Sequence, residues 1–167
     1  MLRIKSVTRR SLTALAMIPA MAAVALTAAC SKEEALDIPS NPAVEVYAGS
    51  LGVSIAAMTK KAEGLYVQDL VVGTGADAIS GKTLRMTYSG YLINGTRFDS
   101  NVGGSPFSFQ LGASQVIAGW DLGIQGMKVG GRRKLVMGSA LGYGRSGSGP
   151  IPPNSTLVFD VEVLAVQ

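Results

Sequence analysis

The chemistry open to this chain is bounded first by the residue types it lacks. Its 167 residues include no His and one Cys, Cys30. Imidazole general bases, His-containing triads and His-ligated metal sites are therefore excluded. An internal disulfide, a thiolate zinc cage and an iron–sulfur cluster are excluded by the same count. What is left is carboxylates, hydroxyls and aromatic rings, each of which has an ordinary structural reading when taken singly. Phe107, Phe109, Val116 and Phe159 read as sheet core, Trp120 as a core anchor, and Asp99 as a solvated or capping residue beside a turn. Arg132-Arg133-Lys134 reads as a solvated strand edge. Four of the 15 basic residues, and none of the 11 acidic ones, precede Cys30, so from there onward the charge balances at 11 against 11. Without a concentrated basic patch, no nucleic-acid partner is expected.

Cys30 closes a distinctive leader. MLRIKSVTRRS is basic, and no charged residue falls between Arg10 and Lys32. A positive start, an Ala-rich apolar run and a small-residue exit predict a removable secretory signal over residues 1–29. The run approaches the roughly 20 residues that span a bilayer, but Pro19, Thr13, Thr27 and its Ala-rich core weigh against a permanent transmembrane helix. Leu26-Thr27-Ala28-Ala29-Cys30 resembles a bacterial lipobox, with Thr27 where Leu is usual. The resemblance implies lipidation of Cys30, a free thiol or simple cleavage near Ala28-Ala29 being the alternative, and several acyl chains would anchor the protein firmly. Ser31 is not the Asp that often marks inner-membrane retention in lipoproteins, so the expected location is the bacterial envelope, at the outer membrane facing the periplasm. Thr8-Arg9-Arg10-Ser11-Leu12 also resembles a twin-arginine export signal.

Residues 30–62 read as a tether with a short apolar segment, VEVYAGSLGVSIAAM, that could dock, pair with another chain or stay loose. The compact domain is expected over 63–167. Leu65-Tyr66-Val67 with Leu70-Val71-Val72 reads as an early strand. Leu84, Met86 and Tyr88 alternate with Arg85 and Thr87 as in a half-buried strand, and Asn94-Gly95 signals a tight turn. Phe107, Phe109 and Leu111 alternate again, and Leu135 and Met137 sit in a short apolar strand. Leu157, Phe159, Val161 and Val163 alternate with Asp160 and Glu162. Ile117, Trp120, Ile124 and Met127 fall instead at helical spacing. One short helix against a twisted antiparallel sheet makes an α+β domain.

TYSGYLINGTRFDSN, PFSFQLG, VIAGWDLGIQGMKVGGRRKL, YGRSGSG and IPPNSTLVFDVEVL occur in the order found in FKBP-type peptidyl-prolyl cis–trans isomerases, which residues 63–167 resemble. The resemblance implies a half-open antiparallel sheet wrapped around one short helix. It also implies a pocket in which Phe98, Phe107, Val116, Trp120, Ile151 and Phe159 bind substrate, with Trp120 as the floor. Tyr88, Asp99, Ile117 and Tyr143 would do the catalytic work: the Ile117 N–H and the Tyr143 hydroxyl hold substrate carbonyls, and Tyr88 holds Asp99 near the twisted amide. The loop departs from the commonest form, with six residues between Gly144 and Ile151, Pro150 in place of an aliphatic residue, and no His. That leaves the preference for the residue before proline open.

The chemistry so implied is rotation about X–Pro bonds, whose barrier of roughly 18–20 kcal/mol comes from amide resonance. No covalent bond changes, so no metal or cofactor is needed. A twisted amide has less charge separation than a planar one, so a dry pocket costs it less to enter, which is differential binding of the transition state. The expected partners are proline-containing folding polypeptides of the envelope, macrolides of the FK506 and rapamycin type, and the membrane through lipidated Cys30. A non-catalytic holdase using the same groove, or a structural lipoprotein, are the competing readings.

Overall fold

The computed structural model describes residues 39–167. The basic leader, the apolar run and Cys30 lie outside the described residues. The five segments read as strands become β2 (Leu65–Val71), β3 (Thr83–Leu92), β5 (Phe107–Gln110), β6 (Arg132–Met137) and β7 (Leu157–Val166). Two short strands that the pattern did not single out, β1 (Thr59–Ala62) and β4 (Arg97–Ser100), bring the described residues to seven. They form one sheet in the order β1-β2-β6-β7-β3-β4, every pairing antiparallel, with β5 joined to β3. β3 joins three strands: its first half pairs with β5, its second half with β4, and its other edge with β7. This is the antiparallel α+β arrangement expected.

The alternation in each strand sends one set of apolar side chains to a common face. Leu65, Val67, Leu84, Met86, Leu135, Met137, Leu157, Phe159, Val161 and Val163 are buried there against Trp120, Ile124 and Met127. The helix they enclose, α1 (Ala118–Gly123), is shorter than the spacing through Met127 predicts. Gly126 takes φ +81°, a left-handed geometry that stops the helix, and Met127 reaches the core through a turn closed on the Ile124 carbonyl at 3.0 Å. Ile117 stands at the N-cap with φ −58° and ψ 145°, so its N–H falls outside the helical hydrogen-bond ladder.

Of the basic triplet in β6 only Arg132 is exposed; the other two are not the solvated edge their composition suggests. β6 lies between β2 and β7, and Arg133 and Lys134 are only 7% and 6% exposed. Burying a charge requires a partner, and both have one. Arg133 donates from Nε and Nη2 to the two Asp69 carboxylate oxygens at 2.7 and 3.1 Å, and from Nη1 to the Gly123 carbonyl at 2.7 Å. The end of α1 is thereby tied to β2. On the opposite face, Lys134 Nζ meets Asp160 Oδ1 at 2.5 Å.

The segment ahead of the sheet is ordered as well, and the compact structure begins before residue 63. Three short 3₁₀ turns (Pro42–Val44, Gly49–Leu51, Ile55–Ala57) lead into β1. Leu51 and Met58 are buried on Val136 and Val158, with Tyr47, Val53, Ile55, Tyr66 and Tyr91 around them. The apolar segment is thus a strap over the sheet face opposite α1, and the Ala48 N–H donates to the Ile93 carbonyl at 2.8 Å.

One glycine within the sheet bears directly on the aromatic cluster. A Cβ on Gly90 of β3 would lie 2.6 Å from Phe98 Cζ and 2.7 Å from Phe159 Cε1. Only glycine lets both rings close over the strand at this point.

Candidate active site

At the open side of the sheet lies a cavity of about 390 Å³. Tyr88, Phe98, Asp99, Phe107, Val116, Ile117, Trp120, Tyr143 and Phe159 all line it, so the structure brings together nine residues that are scattered from β3 to β7. Gln115 lines it too and was not anticipated; its Oε1 accepts the Gln110 N–H at 2.9 Å and fixes the entry loop. Ile151 is the exception. It is buried in the main core and is not part of the lining, because hydrogen bonds at 2.9 and 3.0 Å with Ser148 turn the loop so that its side chain packs inward.

The floor is an aromatic assembly. Trp120 is almost wholly buried and meets Tyr88 edge-on at 5.0 Å between ring centroids and Phe159 at 5.4 Å. Phe98 stands edge-on to Phe159 at 5.5 Å. Such T-shaped pairs favour one mutual orientation. Phe107 and Tyr143, at 39% and 38% exposure, form the rim. The Trp120 Nε1 is buried and has no hydrogen-bond partner among the described residues.

The helix that carries Trp120 is placed by close backbone approach. A Cβ on Gly119 would collide with Met137 Sδ, and one on Gly123 would lie 2.9 Å from Leu135 Cδ2. The turn before the helix is held by Asp121, whose carboxylate accepts the Gly112 and Ser114 N–H groups at 2.8 and 3.2 Å.

Few polar groups enter the cavity, and Tyr88 and Asp99 orient each other. Tyr88 Oη donates to Asp99 Oδ2 at 2.6 Å, while Asp99 Oδ1 accepts the Ser100 N–H at 2.8 Å. The Tyr88 N–H donates to Asn101 Oδ1 at 2.7 Å, and Asn101 Nδ2 donates to the Met86 and Ser105 carbonyls at 3.1 and 3.2 Å. Asn101, inside the quoted FDSN string, is thus a positioning residue that sequence reasoning gave no role. Burial, then the hydrogen bond to Asp99 and its charge, push the Tyr88 hydroxyl up to about 12. Burial, then the Asp99 charge, raise Tyr143 as well. Both hydroxyls therefore remain donors throughout the neutral range. The arrangement can seat an apolar ring on Trp120 and orient adjacent carbonyls; it offers no activated nucleophile.

Residues 75–164 match the family model of the FKBP-type peptidyl-prolyl cis-trans isomerase. The FK506-binding protein of Neisseria meningitidis serogroup B is 50% identical over 105 residues, covering 62% of this chain and 96% of that protein. FK506-binding protein 4 of Rhizopus delemar is 51% identical over 111 residues, covering 66% of this chain and 29% of that protein. The chain spans less than a third of the length of several such longer curated relatives. Among solved structures, FkpA from Escherichia coli superposes with a TM-score of 0.61 at 42% identity, covering 66% of this chain and 52% of that one. AtFKBP13 gives 0.61 at 38% identity, covering 66% and 98%.

The Tyr88–Asp99 contact can be tested by alkaline titration. A raised tyrosine value means the folded state favours the protonated hydroxyl. Its stabilising contribution is complete below the ordinary value of 10.0 and is lost as pH climbs through about 12. Tyrosine difference absorbance, assigned with Tyr88→Phe, should show Tyr88 ionising late in the wild type. Asp99→Asn should move that step toward 10.0, since the carboxylate charge is gone; a step unmoved by the substitution would contradict the coupling.

Proposed function

The chain belongs to the FKBP-type peptidyl-prolyl cis–trans isomerase family, and we propose that its aromatic cavity catalyses X–Pro rotation in exported polypeptides. The observation that carries this reading is the set of nine lining residues, with the Tyr88–Asp99 hydrogen bond at one side and the Tyr143 hydroxyl at the rim.

The mechanism needs only binding that improves as the amide twists. The proline ring sits on Trp120 between Phe107, Val116, Ile117 and Phe159, shedding water as it enters. Twisting localises the amide nitrogen lone pair and reduces the dipole, so the dry cup disfavours the planar ground state more than the twisted one. The Ile117 N–H, outside the helical ladder, and the Tyr143 hydroxyl hold flanking substrate carbonyls. Asp99, fixed by Tyr88 and Ser100, acts electrostatically on the rotating amide. Nothing is deprotonated. Macrolides of the FK506 type would occupy the same cup.

The envelope role is the finer part of the proposal and rests on the leader and on Cys30. Intact-mass analysis of the exported protein should find Cys30 as the mature first residue carrying acyl groups. An unmodified Cys30, or a retained leader, would overturn the anchoring while leaving the isomerase reading intact.

The catalytic reading is tested on the full chain by kcat/KM with an X–Pro peptide, beside light scattering of an aggregating client. A hydrogen bond to a neutral group contributes about 0.5–1.5 kcal/mol. If the Tyr143 bond strengthens in the transition state, Tyr143→Phe should slow isomerisation roughly 2- to 12-fold. Asp99→Asn should cost as much or more, and Trp120→Leu should weaken both macrolide binding and catalysis. Suppression of aggregation should survive Tyr143→Phe and Asp99→Asn, because holding an unfolded chain relies on apolar area. Unchanged rates in both variants would leave the groove a binding surface only.

A further inference from the structure

Tyr143 reaches the cavity from a loop that is fastened at an unexpected point. Ser139 begins a 3₁₀ turn (Ser139–Leu141), and its carbonyl accepts the N–H of Gly142 at 3.0 Å and of Gly144 at 2.8 Å. The two residues flanking Tyr143 therefore hang from one oxygen. On the far side, the Asn154 N–H donates to the Gly144 carbonyl at 2.9 Å.

Ser139 is in turn gripped by the start of the strap. Its N–H donates to Ser40 Oγ at 2.8 Å, and its Oγ accepts the Ser40 N–H at 3.2 Å. The pair is reciprocal, and Ser139 is only 1% exposed. Ser40 thus supplies, from 99 residues away, an acceptor for the first N–H of the turn, which the turn itself leaves without one. The backbone is shaped for it: a Cβ on Gly138 would lie 2.6 Å from the Ser40 carbonyl oxygen and 3.2 Å from Pro42 Cδ. Gly138 has φ −69°, open to any residue, so the close approach of the strap is what requires glycine there. Pro42 is buried behind this contact, and the Tyr47 hydroxyl donates to its carbonyl at 2.8 Å.

We infer that Ser40 is a positioning residue for Tyr143, so that the strap, which lies outside the segment matched by the family, is part of the working site. The inference rests on the proposed role of Tyr143 in isomerisation. Ser40 touches no substrate; it acts by fixing Ser139, whose carbonyl sets the two N–H groups on either side of the Tyr143 Cα. Without the clamp the turn keeps its own bonds but gains freedom against the sheet, and the hydroxyl is less often where a substrate carbonyl needs it.

The test is a double-mutant cycle on the full chain, with kcat and KM resolved separately. Ser40→Ala should lower kcat roughly 2- to 10-fold, the size expected for misplacing one orienting hydrogen bond, with KM little changed. Ser40→Thr, which keeps a hydroxyl, should restore most of the rate. In a Tyr143→Phe background, Ser40→Ala should have no further effect, because the group it positions is absent. A purely structural role would give the same loss in both backgrounds, and that result overturns the inference, as does a wild-type rate in Ser40→Ala. If Tyr143→Phe alone leaves the rate unchanged, the role of Tyr143 falls and this inference falls with it. A slow Tyr143→Phe beside an additive Ser40→Ala sinks the clamp alone.

Discussion

The direct approach of α1 to β6 governs the rest of the site. Gly119 and Gly123 leave no side chain between the helix and the strand, so Met137 and Leu135 press on the helical backbone itself. A helix of six residues cannot hold its place by its own hydrogen bonds. Its position comes from that packing, from Asp121 knitting the preceding turn, and from Arg133 tying the Gly123 carbonyl to Asp69. Trp120 is then carried to one depth beneath the open side of the sheet, and Gly90 lets Phe98 and Phe159 close beside it. The floor is rigid because three separate constraints converge on one short element.

Against that rigid floor the polar groups are few and placed at the edge. Asp99 and Tyr143 are exposed enough to meet an incoming chain, whereas Trp120 is buried. The division suits a reaction without bond making, in which apolar contact would supply affinity, and the low polarity of the cup with a few fixed dipoles would discriminate between planar and twisted amide. The raised Tyr88 and Tyr143 hydroxyls fit this division, since each serves as a donor that keeps its proton.

Much of this was legible in the sequence, and the misses have physical causes. Period-two alternation placed β3, β5 and β7, a short apolar run placed β6, and helical spacing found α1, because each buries a face against a common core. The helix ends at Gly123, and the chain turns through Gly126, whose positive φ the spacing of Ile124 and Met127 does not reveal. Arg133 and Lys134 read as solvated because composition carries no information about Asp69 and Asp160 in other strands. Nine of the ten pocket positions converge, but Ile151 packs in the core behind its paired hydrogen bonds with Ser148, a loop geometry that no periodicity in the sequence signals. Gln115 and Asn101 work through hydrogen bonds to backbone atoms, for which the sequence offers only adjacency to recognisable strings. For the strap the sequence leaves docking, pairing with another chain and looseness equally open, because its partners Val136 and Val158 are far away in the chain.

The central claim is that the cavity speeds rotation by binding a twisted amide without any proton transfer. It is tested most directly by kcat/KM for an X–Pro peptide across the neutral pH range, measured in ordinary and in heavy water. The account predicts a flat profile that coincides in the two solvents, because no group in the cavity gives up or takes a proton in the rate-limiting step. A bell-shaped profile with a clear solvent isotope effect would contradict it and would make Asp99 or a tyrosine hydroxyl an acid–base catalyst.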